Sequence, residues 1–519
     1  MKTLIFKNSF SVMALAVLYT FLFWHESMGI NLVLFSSCIA ALLLYRHREV
    51  WAIPRVQWTL AGTLFSGAMV LLWNSTTAVV AHIASFYLFS SLVHAPQVRA
   101  FHFSAAHALI NQVKAPGSLN LAFHNNATAA QRRPMRLGYW LRVVIIPLLF
   151  VLLFYILYVN ANNEFSALSN RFWHKVFQAI DWFFRKFSFA MFFLFLSGVL
   201  ICAGVVLRAK VNRAPQWDEQ AKVYIGRTRR KLPHLYIPKN ALKTEYRTAC
   251  LLIAMVNVLL LAVNCTDIRY VWLNFEFSNV GSLSEFVHQG TYLLILSILL
   301  SKGFIIFYFR RNLNFYPNNR VLRILAVVWM LQNVFLVMSV ALRNWYYVQY
   351  YALAYKRIGV FIFLILVVVG LITMVLKIQR RHTGYQLLRS NAIAAYSMLI
   401  LMSTVNWDPW IILYNLKAQH KAGFDASFCF KVSEKAIPLM LENMHLIEQE
   451  MTNGEGLMKY ARGCSDIECF RNMVCDKAQY FMYKYESESV LSWNYADDQT
   501  YRYLRAYFSA ATHDTNGGL

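Results

Sequence analysis

Eleven long runs of apolar residues follow one another along this chain, and they constrain its fold more than any other feature. The runs cover residues 9–24, 28–45, 56–73, 76–93, 140–159, 188–207, 249–264, 287–308, 321–342, 358–376 and 391–406. Most approach the roughly 20 residues that an α-helix needs to cross the hydrocarbon core of a bilayer. The sequence therefore predicts an all-α, polytopic transmembrane helix bundle of about eleven spans.

The charge content agrees with a membrane protein. Only 14% of the 519 residues are charged and 58% are hydrophobic, whereas a soluble domain carries about 25% charged residues. The net charge of +25 would suit a nucleic-acid-binding protein, but 15 of the 25 acidic residues follow Trp407, where only 11 Lys and Arg occur. The basic excess lies in short loops that orient a membrane protein, so we predict no nucleic-acid partner.

Lys and Arg also predict the orientation of the spans. If the N-terminus is cytoplasmic, the inner segments hold 30 basic residues and the outer loops before the tail hold 8, as the positive-inside rule requires. The inner segments are 1–8, 46–55, 94–142, 208–248, 309–323 and 377–390. An odd number of spans then predicts a transmembrane bundle over residues 1–406 and a small helical, extracytoplasmic domain over residues 407–519.

Four of the eight cysteines lie in this tail, at Cys429, Cys464, Cys469 and Cys475. An even set of cysteines in an exported domain favours disulfide bonds, and four cysteines allow three pairings. A zinc site is the alternative, but the spacing C-x4-C-x5-C lacks a C-x-x-C pair. We therefore predict disulfides and no metal.

Familiar catalytic signatures are missing from the sequence. It contains no G-x-S-x-G, no phosphate-binding loop, no G-x-G-x-x-G and no H-E-x-x-H. We predict no catalytic residue and no cofactor, which argues against an enzyme without excluding one.

Polar side chains inside the spans are the next candidates, because they are costly in hydrocarbon. Amides there most often form helix–helix hydrogen bonds, a lysine near a span end can extend to the interface, and a lone histidine is weak evidence for a proton relay. The intramembrane polar residues are His82, Asn257, Lys302, Gln332 and Asn333.

A second polar group falls just beyond the predicted outer ends of the spans. Such a cluster could bind an anionic lipid headgroup or take part in acid–base chemistry. Structural ion pairs and a capped helix that joins the bundle to the tail explain the same residues without chemistry, and we favour that interpretation. The candidate outer-mouth cluster comprises Asp267, Arg269, Arg343, Arg357, Asn406, Asp408, Tyr414 and Asn415.

The last third of the chain resembles a known family. Residues 406–416 read Asn-Trp-Asp-Pro-Trp-Ile-Ile-Leu-Tyr-Asn-Leu, and residues 433–440 read Ser-Glu-Lys-Ala-Ile-Pro-Leu-Met. This stretch resembles bacterial multi-pass membrane proteins known only as a domain of unknown function, which carry Asn-x-(Asp/Glu)-x-x-Ile-x-x-Tyr-Asn-Leu after the last span. The resemblance covers roughly residues 343–440 and implies a bacterial inner-membrane location, but no activity.

Two functional hypotheses remain. The first is a non-catalytic scaffold, sensor or subunit of an envelope complex, which contacts membrane lipids and presents its tail to an envelope protein. The second is a transporter or membrane enzyme that handles a lipid or lipid-linked substrate at the outer mouth. The first predicts that the outer-mouth residues pack in pairs, and the second predicts that they line a cavity.

Overall fold

The computed structural model describes residues 2–124, 147–148, 150–156, 158–160, 163–186, 188–208, 213–227, 241–273, 283–309, 312–417, 426–453 and 467–516. Regular structure in these residues is helical, apart from one isolated bridge between Tyr224 and His382. The chain divides into two compact units, Met1–Trp24 with Ile110–Val211 and His25–Leu109 with Asn212–Leu519.

A helix lies at each of the predicted apolar runs, and further helices lie outside them. They are α1 (Lys2–Phe23), α2 (Ile30–Arg46), α3 (Pro54–Trp73), α4 (Thr76–His94), α5 (Phe101–Val113), α6 (Ala115–His124), α7 (Phe150–Asn160), α8 (Asn163–Lys186), α9 (Phe189–Val206), α10 (Ala214–Gln220), α11 (Ala241–Asp267), α12 (Leu283–Tyr308), α13 (Arg320–Tyr351), α14 (Tyr355–Arg380), α15 (Gly384–Ser403), α16 (Trp407–Lys417), α17 (Ala426–Cys429), α18 (Ile437–Glu442), α19 (Met444–Asn453), α20 (Ile467–Ser487) and α21 (Tyr495–Asn516). A π-helical turn, Ile268–Leu273, extends α11.

Six of these helices are long and apolar enough to cross a membrane. They are α3, α4, α9, α11 with its π-helical turn, α13 and α14. Shorter apolar helices cover Phe10–Phe23, Ile30–Arg46, Phe150–Asn160 and Tyr292–Tyr308. The predicted run 391–406 falls on α15, which is in neither group. The all-α, multi-pass architecture is confirmed, and the count of eleven spans stays a prediction.

In the first unit, α1 packs along α9 and α6. Gly198 of α9 lies against the ring of Tyr19, and the amide of Gln112 donates to the carbonyl of Leu200 at 3.1 Å. Helix α8 contacts α7 through Trp173, whose indole N–H donates to the Tyr155 hydroxyl. Its Phe172 and Phe177 side chains remain exposed, so α8 carries an apolar surface.

In the second unit, α11 and α13 are joined by a ladder of amide hydrogen bonds. Asn257 donates to the carbonyl of Leu325 at 3.1 Å, and Asn264 donates to the carbonyl of Gln332 at 3.2 Å. Donors and acceptors are both spaced by seven residues, or two helical turns, so the two helices run in parallel. In the predicted alternation, the chain crosses the membrane once between α11 and α13, as α12. The two helices should then run in the same direction, which agrees with the observed parallel pair.

The C-terminal helices contact one side of this unit, at the loop before α2 and at the α3–α4 turn, and the end of α15 lies on the same side. We call this the tail side. Trp73, at the end of α3, donates its indole N–H to the carbonyl of Thr404 at 3.1 Å. The backbone amide of Ile30 donates to the carbonyl of Trp493 at 3.1 Å.

The opposite side of the second unit is organised by Asp218, which is fully buried. Its carboxylate accepts hydrogen bonds from the backbone amide of Arg99 at 2.7 Å and from the Tyr385 hydroxyl at 2.9 Å. The loop after α4, helix α10 and the start of α15 therefore meet at one carboxylate. These are three of the predicted inner segments, and the sequence analysis did not single out Asp218.

The tail helices share an apolar core around Ile437, Phe470, Val474 and Leu504. Of the predicted disulfide cysteines, Cys429 and Cys475 are present as thiols, and Cys464 lies outside the described residues. The helical character of the tail is confirmed. Its boundary at residue 407 and its disulfide pairing stay predictions.

Candidate functional site

His82 lies in the middle of α4 and is almost completely buried. Its Nδ1 is 3.0 Å from the carbonyl oxygen of Thr63, and its Nε2 is 2.8 Å from the hydroxyl of Ser36. A carbonyl only accepts, so Nδ1 carries a proton and donates it to Thr63, while Nε2 shares a hydrogen bond with the Ser36 hydroxyl. His82 thus joins α2, α3 and α4.

The intramembrane amides also bond to backbone. Asn257 belongs to the α11–α13 ladder, and Asn333 donates to the carbonyl of Trp329 in its own helix at 2.7 Å. Gln332 contributes its backbone carbonyl, which accepts from Asn264. The ladder matches the helix–helix role that is usual for amides in spans. Asn264 was missed, although it lies seven residues after Asn257 on the same helix.

Lys302 of α12 reaches α14 inside the bundle. Its ammonium donates to the carbonyl of Val367 at 3.2 Å. Gly370 makes room for it, because a Cβ added there would lie 2.5 Å from Nζ of Lys302. The lysine therefore joins two helices rather than only extending to the interface.

The outer-mouth cluster divides into separate contacts. Arg343 and Asp267 form an ion pair with a 2.6 Å N–O distance, and their side chains are only 11% and 9% exposed. This pair joins the ends of α13 and α11 just beyond the amide ladder. Arg269 is exposed and lies over the ring of Tyr270.

The corner between α13 and α14 is held by two of the predicted residues. Asn415 of α16 bonds the Leu353 peptide twice, accepting from its N–H at 2.7 Å and donating to its carbonyl at 2.9 Å. Arg357 donates to the carbonyls of Tyr351 and Ala352. Ala352 has φ 69° and ψ 176°, a backbone region that is nearly restricted to glycine. These hydrogen bonds offset the strain of that corner.

Asp408 and Tyr414 stand on other faces of α16. The Tyr355 hydroxyl donates to the carboxylate of Asp408, which ties α16 to the start of α14. The ring of Tyr414 stacks on Trp410 with centroids 6.3 Å apart. Burial raises the pKa of Tyr414.

Lys435 connects the tail to the bundle, although it was not among the predicted site residues. Its ammonium donates to the carbonyls of Trp73 at 2.6 Å and Asn74 at 2.8 Å. These carbonyls end α3, where the helix dipole favours a cation. Burial lowers the pKa of Lys435, and the carboxylates of Asp497, Asp408 and Glu434 oppose that shift.

A small cavity of about 290 Å³ lies beside Lys435. Asn406, Trp73 and Tyr503 also line it. The side-chain oxygen of Asn406 is buried there and accepts no hydrogen bond from any described residue. The cavity therefore offers a cation and an amide oxygen, but no pair of carboxylates for acid–base work.

The loop before α2 makes the second contact between bundle and tail. The carboxylate of Glu26 accepts from the hydroxyl of Ser492 and from the backbone amide of Ser489. Gly29 packs directly against the backbone of Ser492, since a Cβ added at Gly29 would lie 2.3 Å from the carbonyl oxygen of Ser492. We call the contacts of Glu26, Gly29 and Lys435 with their partners the tail junction.

A groove of about 610 Å³ lies on the tail side of the second unit. It lies between the tail-side parts of α12, α13 and α14 and includes one predicted site residue, Arg357. Its polar lining includes Tyr292, Asn344, Tyr347, Lys356 and Arg357. Lys356 was not among the predicted site residues, whereas a cavity at the outer mouth is what the second hypothesis predicts.

Among the described residues, no group of three or more His, Cys, Asp or Glu side chains lies close enough together to hold a metal ion.

Removing Arg343 tests whether the Asp267–Arg343 pair is structural. Arg343→Ala leaves a nearly buried carboxylate uncompensated, so we expect a loss of about 3–5 kcal/mol in the free energy of unfolding. The double variant Asp267→Leu/Arg343→Leu should recover most of that loss. Thermal unfolding in detergent measures both, with the exposed Arg269→Ala as control. A double variant as unstable as the single one would contradict the structural role.

Gly29→Ala tests the tail junction. The new Cβ cannot coexist with the carbonyl of Ser492, so the tail helices must shift, and we expect faster trypsin cleavage within α20 and α21 of the folded protein. Gly384→Ala is the matched control, because a Cβ at Gly384 meets no atom within 4 Å. Equal cleavage rates for the two variants would show that the contact does not hold the tail.

Comparison with known proteins places the whole bundle in one family. A family model described as a domain of unknown function, DUF4153, matches residues 11–443, well beyond the 343–440 segment that carries the resemblance. No curated protein and no solved structure matches the chain. The α13–α14 corner, α16 and Lys435 all fall within the matched residues, and the chain belongs to the DUF4153 family of unknown function.

Proposed function

We propose that this protein is a non-catalytic, multi-pass component of the bacterial inner membrane, acting as a scaffold, sensor or subunit that presents its tail to an envelope protein. The observation that carries the proposal is the tail junction, where partly buried polar contacts fix the tail helices to the ends of the bundle. A tail held in this way presents its surface in a fixed orientation relative to the ends of the bundle helices.

The hydrogen-bond and ion-pair partners of the predicted site residues support the same proposal. Asp267 is bound to Arg343, Asn415 to the Leu353 peptide and Arg357 to two carbonyls. Groups bound to each other and to backbone are not poised for proton transfer.

The outward surface of the tail suits a protein partner. Tyr480 and Tyr483 of α20 are 67% and 72% exposed, and Val490 is 78% exposed. Aromatic side chains are enriched in protein interfaces because they bury much area at low entropic cost. We therefore place the partner on α20 and the turn after it.

The proposal includes an N-terminus in the cytoplasm and a tail in the periplasm. The distribution of Lys and Arg supports this orientation. We also propose a disulfide bond in the tail that includes Cys469, since Cys429 and Cys475 are thiols. A disulfide fits an oxidising compartment.

Reporter fusions test the orientation. Alkaline phosphatase fused after Leu519 should be active and green fluorescent protein fused there should be dark, since each folds on a different side of the membrane. The matched control is insertion at Gly226, between α10 and α11, where an added Cβ meets no atom; there we expect the reverse. A fluorescent fusion at Leu519 would contradict the proposed orientation.

Photo-crosslinking in intact cells tests the presented surface. A benzoylphenylalanine placed at Tyr480 or Tyr483 should form one discrete covalent adduct with another protein. The control position is Leu300, an exposed residue on the apolar helix α12, from which we expect no such adduct. Normal amounts of protein without an adduct at either tyrosine would contradict the partner-presenting function.

A further inference from the structure

The groove between α12 and α14 exists because of how these helices pack. Both lie along α13 but make few contacts with each other. Lys302 bridges them by donating to the carbonyl of Val367. The groove therefore opens between α12 and α14 at the tail side, with α13 as its floor.

The described lining of the groove follows α14 for about two turns. Six residues separate Arg357, at the mouth, from Phe363. At about 1.5 Å per residue this distance is about 9 Å, which lies within one leaflet of the roughly 30 Å hydrocarbon core. An acyl chain that enters at the interface would therefore run along α14 toward the Lys302–Val367 hydrogen bond, which lies about one helical turn deeper.

The walls change character along this depth. Ile295, Val360 and Phe363 form the apolar lining, and Phe363 is 38% exposed. Lys356 and Arg357 stand at the mouth, and the guanidinium carbon of Arg357 lies 4.4 Å from the centre of the Tyr347 ring. The described lining includes no carboxylate, so the mouth is cationic.

We propose that this groove binds one anionic glycerophospholipid of the tail-side leaflet, with its phosphate at Lys356 and Arg357 and an acyl chain along α13. The apolar wall selects a lipid over a free phosphate, because a small anion would leave that wall in contact with water. The cations select an anionic headgroup over a zwitterionic one.

The test uses the full-length protein in detergent with added dioleoylphosphatidylglycerol or dioleoylphosphatidylcholine, read out by native mass spectrometry. We expect one phosphatidylglycerol to be retained and phosphatidylcholine to be retained at least about tenfold less. Lys356→Glu should weaken phosphatidylglycerol retention by about tenfold, since the reversal removes one attraction and adds one repulsion near the headgroup.

Two further variants separate the groove from general attraction to charge. Gly359→Leu should abolish retention by filling the groove, because a Cβ at Gly359 meets no atom within 4 Å and the change leaves the helix intact. Arg269→Glu removes an exposed cation outside the groove and should change retention by less than about twofold.

Three results would overturn the proposal. They are equal retention of both lipids by the wild type, undiminished retention by Gly359→Leu, and displacement of the lipid by millimolar glycerol 3-phosphate, which would assign the site to a free phosphate. Each variant is scored only if it elutes as the wild type does in size-exclusion chromatography. If Lys356→Glu fails that check, Gly359→Leu and the competition still decide.

Discussion

Hydrocarbon offers a polar side chain no hydrogen-bond partner, so each amide and cation inside the spans must find one in the protein. Asn257 and Asn264 meet this constraint by bonding carbonyls of α13, and Asp267 continues the contact by pairing with Arg343. The parallel α11–α13 pair is thereby fixed in register along its length. Helices α12 and α14 pack on α13, so the groove between them follows from the same pair.

The helices were predictable because burying an apolar run in hydrocarbon is a local property of the sequence. The run 76–93, for example, predicts the bounds of α4, Thr76–His94, to within one residue at the C-terminal end. The run 391–406 shows the limit of the method. Its helix α15 lies where the run predicts it, but α15 is not among the helices long and apolar enough to cross a membrane.

The candidate site was predictable in its residue types but not in its pairings. Asp267 and Arg343 were expected on one side of the membrane, yet only the fold brings together two residues 76 positions apart. Lys435 contacts Trp73 across 362 positions, and a lysine in a polar tail is indistinguishable from a surface lysine in the sequence. Asp218 was overlooked for the same reason.

The spacing of the Asn-x-Asp-x-x-Ile-x-x-Tyr-Asn-Leu stretch now has a structural explanation. Ile411 and Asn415 are four residues apart and share one face of α16, which is buried against the α13–α14 corner. The next face carries Trp410 stacked on Tyr414. One helix therefore supplies both the apolar packing and the amide that hold a strained corner.

That same corner connects the tail to the proposed lipid. Asn415 fixes Leu353, and Lys356 and Arg357 follow within a single turn of chain. A lipid that contacts these cations acts on the segment that α16 holds from the other side. Lipid binding and the contact of α16 with the α13–α14 corner are then thermodynamically linked. If the lipid binds more tightly when α16 holds the corner, α16 holds the corner more tightly, by the same free energy, when the lipid is bound. The tail would then be most firmly positioned where anionic lipid is abundant, which gives a scaffold a means of reading the membrane in which it sits.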